Sequence, residues 1–558
     1  MKLPIIFQTI LIFGVIAITG CKKLDDLNTT PWGKIPYEDY YNDPNIINNA
    51  QNLVTPSLVA FGNSEAMRMG NSSGFEQIDR TDRWGVTNGE YPKYLELSYK
   101  HEFVPVMKPI NTMWTVFYDG IATANSVLSE LGKIKTDDPN KFKKPFAEIK
   151  ALRAYFFLCA LENFGNIPLD TLYKADPSTI KTNTRLEVFN FIEKELKQSI
   201  PLLDTKIGPN NRMNKYVAYT ILAQLYLNAQ VYTASVVGTQ GVPRWADAIS
   251  ACDSVIKSGR FSLTPNYFNN FAWNNNTYLS ENILVSIRDR IPNQGSTFIV
   301  ENLHTLSSPT VGIKETPWDG FTGTAESYRI YDENDRRRRM WLVGTQRVSR
   351  GERVIDGVAN TGPIIVTKSR GKNVPFEITL EAERWGINLA TLGVKTLEMQ
   401  KMAGARNVKY YPRQATNETD TVLLDTRRDL ENDYVLLRYA DILLMRVEAD
   451  LRLSGNISGS SLYWNDVRGR AYGYTGNFQI PSPTLKDIRD ERTREFMFEG
   501  YSRRDHIRFE IADPSEKYWS KARLPFKPNP DPSPKTMLYP IPEIQLRLNP
   551  QLVQNPGY

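Results

Sequence analysis

The sequence predicts a mainly α-helical protein: a scaffold of paired helices carrying an irregular, loop-rich lobe with a few short strands. Three observations carry this. From Lys144 to Leu169, Ile149, Leu152, Phe156, Cys159 and Asn163 fall at helical spacing, and Ala147, Ala151, Ala154, Leu158 and Leu161 form a second stripe beside them. Two adjacent stripes describe a helix packed on most sides, which needs helical neighbours. Similar patterns, each roughly 15–20 residues long, recur on both sides of it in pairs. Between about 261 and 430 the helical period is lost.

The chain has 558 residues, 41% hydrophobic and 23% charged, with a net charge of +6. That composition is ordinary for a globular protein, and the mild charge gives no reason to expect a nucleic-acid partner. Aromatic residues make up 11%, a surplus that serves binding surfaces as well as cores.

Residues 1–20 read as a signal peptide: Lys2, then an apolar run from Leu3 to Ile18, too short and interrupted to span a membrane. It ends in Ile18-Thr19-Gly20-Cys21, which resembles a bacterial lipobox, so Cys21 is the expected lipidation site. Residues 21–36 are polar and aperiodic, a tether. Lys22-Lys23-Leu24-Asp25-Asp26 resembles the acidic export signal of surface lipoproteins in Bacteroidetes-type bacteria. The remaining Cys159 and Cys252 sit in apolar helical stripes and are expected as buried free thiols.

The folded part then runs from 37 to 558, with the helical scaffold mainly over 37–260 and 430–510. A first helix is expected from Asp43-Pro44 through Ile47, Ala50 and Val54, and residues 62–108 read as a long loop. Trp114, Phe117, Ile121, Asn125 and Leu128 mark the partner of the 144–169 helix. Thr184-x-x-Glu187 is a capping box before Val188, Ile192 and Leu196. Helices follow from Asn214 to Leu227 and from Trp245 to Ile256, the latter closed by Ser258-Gly259. Recurring pairs suggest tetratricopeptide-like units, although the strict consensus is absent. Glu281–Arg288 reads as a strand, and 261–430 as a lobe of loops and short strands. Helices are expected again over Tyr434–Leu453, Leu462–Ala471 and Thr484–Gly500. Nine of the 34 prolines follow Leu524, so residues 524–558 are expected to wrap the surface without helix.

Taken together the motifs resemble the SusD-like (RagB/SusD) family of outer-membrane nutrient-binding lipoproteins. The residues that carry the likeness are the lipobox, LRAYFFLCALENFGNIPL, DYVLLRYADILLMRVEADLR, RDERTREFMFEGYSRRDHIRF and the closing PIPEIQLRLNPQLVQNPGY. The resemblance implies a tetratricopeptide-like scaffold bearing a loop-rich lobe. It also implies glycan or other nutrient capture at the outer membrane, facing the cell exterior, without turnover. The implied partner is a TonB-dependent (SusC-like) outer-membrane channel, with the membrane reached only through the lipid anchor.

A sugar binder needs exposed flat rings flanked by planar polar side chains. Three loop clusters fit: Arg80, Asp82, Arg83, Trp84 and Tyr91; Trp273 with Asn274, Asn275, Asn276 and Tyr278; and Trp318-Asp319 with Phe321 and Tyr328. The candidate ligand-binding residues are Asp82, Arg83, Trp84, Tyr91, Trp273, Asn275, Trp318, Asp319 and Tyr328. The competing reading for each cluster is that its Trp pins the loop to the body. Arg336–Arg339 reads as a solvated or ion-paired turn. The charge-dense Glu491–Asp505 stretch, with Arg438, Asp441 and Glu448, reads as an ion-pair network.

No catalytic residues, metal site or cofactor are expected. Gly70-x-Ser72-x-Gly74 matches a hydrolase nucleophile elbow in letters but lacks the strand and helix patterns on either side. His101, His304 and His506 lack metal-ligand spacing. There is no P-loop and no dinucleotide fingerprint. Two alternatives stay open: a glycoside hydrolase on a helical scaffold, which would need only two suitably spaced carboxylates, and a helical-repeat adaptor that binds protein alone.

Overall fold

A computed structural model describes residues 50–62, 65–79, 97–98, 100–138, 140–176, 179–208, 210–278, 280–288, 295–368, 375–381, 402, 404–413, 430–476, 478–519 and 533–558. The expectations for the signal peptide, Cys21, the tether, the start of the first helix and the cluster Arg80–Tyr91 lie outside them.

Helices α1 (Thr55–Gly62), α2 (Glu65–Ser73), α3 (Lys108–Lys133) and α4 (Lys143–Phe164) begin the scaffold. α4 is the double-striped stretch, and it packs against α3 on one side and α5 (Arg185–Ser199) on the other. Ile149, Leu152, Phe156 and Phe157 are fully buried in it. Gly165 ends α4 at φ +73°, its amide hydrogen-bonded to the Leu161 carbonyl, and Leu538 lies where a Cβ would stand. A left-handed residue crowded in this way leaves glycine as the residue that fits. Thr184 and Glu187 cap α5 reciprocally, as the sequence predicts.

The chain continues through α6 (Lys215–Leu227), whose first amides are taken by the Asn214 side chain, and α7 (Trp245–Ile256). α7 then packs against Tyr439–Ser454, a helix made nearly two hundred residues later. The chain between them builds the irregular lobe. Its described pieces include β2 (Asn282–Ser286), α8 (Phe298–Asn302), β3 (Phe321–Gly323), α9 (Ala325–Arg329), β4 (Trp341–Leu342) and β5 (Arg406–Asn407). β3 pairs antiparallel with β1 (Gln77–Asp79), Gln77 facing Gly323 and Asp79 facing Phe321; β4 pairs with β5.

Four expectations need correction. Residues Tyr434–Arg438 form a buried strand, β6, antiparallel to β2, and helix α10 (Tyr439–Ser454) starts only after it. The expected loop 62–108 contains helix α2. After α11 (Ser461–Tyr472) and α12 (Leu485–Glu495) comes a separate helix, α13 (Ser502–Ala512), which the sequence reading did not resolve. The proline-rich tail holds a short helix, α14 (Glu543–Leu548), because its prolines flank those six residues instead of interrupting them.

The charge-dense stretch is the buried centre of the molecule. Arg438 contacts Glu281 (3.0 Å), Glu495 (2.6 Å) and Glu499 (2.7 Å). Arg337 contacts Asp335, Glu491 and Glu495, each at 2.7 Å, with no exposed side-chain surface, so of the two readings of this stretch the ion-paired turn holds at Arg337, in the interior. A neighbouring group joins Arg492 to Asp505 (2.7 Å) and Asp441 (3.0 Å), and Arg508 to Glu448 (2.8 Å). Burial alone would raise the carboxylate pKa values, but the surrounding guanidinium groups outweigh it and hold Glu491, Glu495 and Asp505 well below the usual range. Cys159 and Cys252 are buried and free, and burial pushes both thiols up.

Glu76 behaves in the opposite way. Its carboxyl accepts from the Phe498 amide (2.8 Å) and pairs with Ser502 Oγ, yet burial dominates these and Lys409, and pushes its pKa up to about 8. A raised folded-state pKa gives stability that is full below the unfolded value, near 4.5, and is lost as pH rises through about 8. Glu76→Gln keeps an acceptor for Phe498 and has no charge to bury. It is expected to gain on the order of a few kcal/mol over the parent between pH 4.5 and pH 8. Melting curves of both chains across that window check this; parallel curves would refute it.

Candidate ligand-binding site

The first predicted cluster lies outside the described residues. β1 ends at Asp79 opposite Phe321, the first residue of β3. The third cluster, Trp318–Gly320, arrives at that end of the ladder.

That third cluster is a turn laid against α8. The Trp318, Asp319 and Gly320 amides donate to the carbonyls of Val300 (2.6 Å), Leu303 (3.1 Å) and Glu301 (2.8 Å). These bonds satisfy carbonyls at the end of a helix too short to do so itself. Trp318 is half-buried and packs on the core. Asp319, at φ +56°, is fully buried and paired with Arg406 Nη2 at 2.9 Å. Arg406 Nη1 also donates to the Phe321 carbonyl (2.8 Å). Asp319 is thus a clamp for the turn, not a group presented to a ligand. Tyr328 is half-buried, with the Arg338 guanidinium 4.8 Å from its ring centroid and Arg338 Nη2 donating to its hydroxyl (2.8 Å).

In the second cluster the two candidates have different fates. Trp273 is 37% exposed, with the Arg413 guanidinium 5.7 Å from its ring centroid. Asn276 is exposed, and Asn274 and Tyr278 are half-buried beside it. Asn275 is buried: its Nδ2 donates to the carbonyls of Asn270 and Asp433, and its Oδ1 accepts from the Asp433 amide. Its amide is fully used in holding the loop, so it too is a correction to the predicted ligand set.

One segment connects the two described clusters, and sequence reasoning missed it. Residues 405–413 run from Arg406 at the Trp318 turn to Arg413 at Trp273. In between, Lys409 is buried against Glu499 (2.6 Å) and over the Phe271 ring (4.2 Å), and Tyr410 stacks on Tyr434 (5.2 Å). Burial lowers the Lys409 pKa to about 8 although Glu499 opposes the shift. The only sequence signal was the doublet Tyr410-Tyr411 between Lys409 and Arg413. Arg406→Ala would leave Asp319 buried without its cation, which costs about 3 kcal/mol or more. Its Trp emission is expected to shift to longer wavelength as the Trp318 turn loosens; an unchanged spectrum and melting midpoint would refute the clamp.

Gly70, Ser72 and Gly74 lie in and just after α2, with Ser72 buried, so no strand–turn–helix elbow exists there. Among the described residues no group of three or more His, Cys, Asp or Glu side chains is placed to hold a metal, and no helix is long and apolar enough to cross a membrane.

Fold and site define a helical scaffold carrying an irregular lobe, with an exposed tryptophan rimmed by a cation and amides. A family model described as "SusD family" matches residues 256–558, and one described as "Starch-binding associating with outer membrane" matches 38–227. The chain belongs to the SusD family. It is 24% identical over 423 residues to the starch-binding protein SusD of Bacteroides thetaiotaomicron, covering 74% of this chain and 72% of that one. Among solved structures it is similar to surface glycan-binding protein A from Bacteroides uniformis, with TM-score 0.66, 19% identity and coverage of 92% and 99%. A chain crystallised with a xylogluco-oligosaccharide gives TM-score 0.68, 17% identity and coverage of 91% and 97%.

Proposed function

We propose that this protein is a cell-surface lipoprotein that binds glycan nutrients without turning them over and delivers them to a TonB-dependent outer-membrane transporter. The observation that carries the reading is Trp273. A ring 37% exposed on a loop, with Arg413 against it and Asn274 and Asn276 beside it, suits the apolar face and hydroxyl rim of a sugar. Membership of the SusD family and the glycan-binding names of its relatives support the same ligand class. The acidic stretch from Glu491 to Asp505 is bound up in buried ion pairs, which favours a structural role for those carboxylates over a catalytic one.

The test is a panel of polysaccharides cast in native gels, run with a chain lacking residues 1–21 and paired with a reducing-end assay. Retardation by at least one polysaccharide without new reducing ends is expected. New reducing ends would overturn the non-enzymatic reading, and retardation by none would overturn the glycan reading. Lipid attachment at Cys21 has its own check. Cells fed a labelled fatty acid are expected to label the parent and not Cys21→Ala, because several acyl chains on one residue are what anchor such a protein stably. Equal labelling of both would move the anchor elsewhere.

A further inference from the structure

The β1–β3 ladder has a second end. Opposite the Trp318 turn, Gly74–Glu76 lead into β1, and Glu326–Ile330 follow β3. With α12 and Tyr518 they enclose a cavity of about 420 Å³ that contains none of the predicted ligand residues. That volume lies within the range of roughly 300–1,000 Å³ typical of small-molecule sites. A three-residue ladder spans roughly 10 Å, so the cavity and the Trp318 turn are near neighbours.

The lining is specific in kind. Phe75, Met497 and His506 form a buried floor, with Tyr518 as a wall whose face carries the Arg489 guanidinium at 4.0 Å. Around the mouth, Arg329, Lys486 and Arg489 stand against Glu326, Asp490 and Glu516. Asp490 is paired with both Lys486 (2.8 Å) and Arg489. The rim is therefore charge-balanced and suits neither a strong anion nor a strong cation. Adjacent guanidinium and carboxylate groups suit vicinal hydroxyls, each of which can accept from one and donate to the other. Glu76 in the floor is uncharged below about pH 8, so the base of the cavity also favours a neutral ligand.

We propose that this cavity is a second carbohydrate site, taking a neutral, hydroxyl-rich glycan segment beyond the one held at the aromatic loops. The inference rests on the glycan-binding reading, but its residues are separate and can be tested separately. Thr493 lines the cavity and is half-buried, so Thr493→Trp fills it; Arg329 lies on the exposed mouth, so Arg329→Ala removes a rim donor without opening the core.

The experiment is calorimetric titration of maltoheptaose and a xyloglucan oligosaccharide into the parent, Thr493→Trp, Trp273→Ala and the double variant, with melting curves to verify folding. With at least one sugar, two bound per parent chain, one per single variant and none per double variant are expected. Arg329→Ala in the Trp273→Ala background is expected to weaken the remaining site about tenfold. One sugar per parent chain with Thr493→Trp unchanged would overturn the second site alone. Loss in Thr493→Trp with Trp273→Ala unchanged would uphold the cavity and overturn the loop site. Absence of binding to the parent counts against both. Should Thr493→Trp fail to fold, a crystal of the parent soaked in the same sugar decides: sugar density in the cavity supports the proposal, and density there for residues 520–532 overturns it.

Discussion

Arg438→Ala is expected to lower the stability of the chain by about 3–5 kcal/mol. Arg438 is fully buried and bonds at once to three carboxylates, Glu281, Glu495 and Glu499, and to the Glu495 carbonyl (2.7 Å). Its guanidinium also covers the Phe496 ring at 4.5 Å. Truncation does not free these acids, because they stay in the interior. Glu281 and Glu495 fall back on Arg470, and Glu499 on Lys409. The surplus negative charge must then be neutralised by protonation, so the deficit should shrink as pH is lowered toward 5. Lysine would not restore the parent, since one ammonium lacks the forked geometry that serves several carboxylates. Urea titrations at pH 7 and pH 5 measure both statements, and a midpoint unchanged at pH 7 would mean that the network does not hold the fold together.

Trp273→Ala is expected to weaken glycan binding by about 2 kcal/mol, roughly thirtyfold, and to leave the melting curve close to that of the parent. The two halves belong together. A ring more than a third exposed, outside the hydrophobic core, contributes little to folding and is available to a ligand. Trp318 cannot give so clean a result, because it packs on the core and its removal would disturb the Asp319–Arg406 clamp. Gel retardation and melting measured side by side decide. Undiminished retardation by Trp273→Ala would move the ligand to another surface.

The scaffold was readable in the sequence wherever a helix has an apolar side. Stripes, caps and closing glycines place α3 to α7 within a few residues of where they fold. Failures have physical causes. Residues 434–445 are apolar apart from Arg438 and Asp441, a pattern that reads the same as buried strand or buried helix. What makes Tyr434–Arg438 a strand is its pairing with Asn282–Ser286, about 150 residues earlier. α13 was hidden because its inward residues include Arg503, Asp505 and Arg508, so a hydrophobic pattern sees only polarity. At the site, the residue types were visible but not their duties. Asn275 and Asp319 have the chemistry of sugar ligands and spend it on backbone and on Arg406. The segment 405–413, which holds the two clusters together, shows no period, because nearly every residue in it is buried among partners from elsewhere in the chain.

The segment after α13 closes on α4. Tyr539 donates its amide to the Asn163 carbonyl (2.9 Å), and Asn555 donates its side chain to the carbonyls of Phe164 and Tyr539 (2.8 Å each). A chain synthesised from its N-terminus makes α4 several hundred residues before the groups that complete it. During that interval the helix end must remain hydrated, or find provisional partners. Tyr539 and Asn555 thus act as a latch on one of the first helices, and a chain interrupted before them cannot close it.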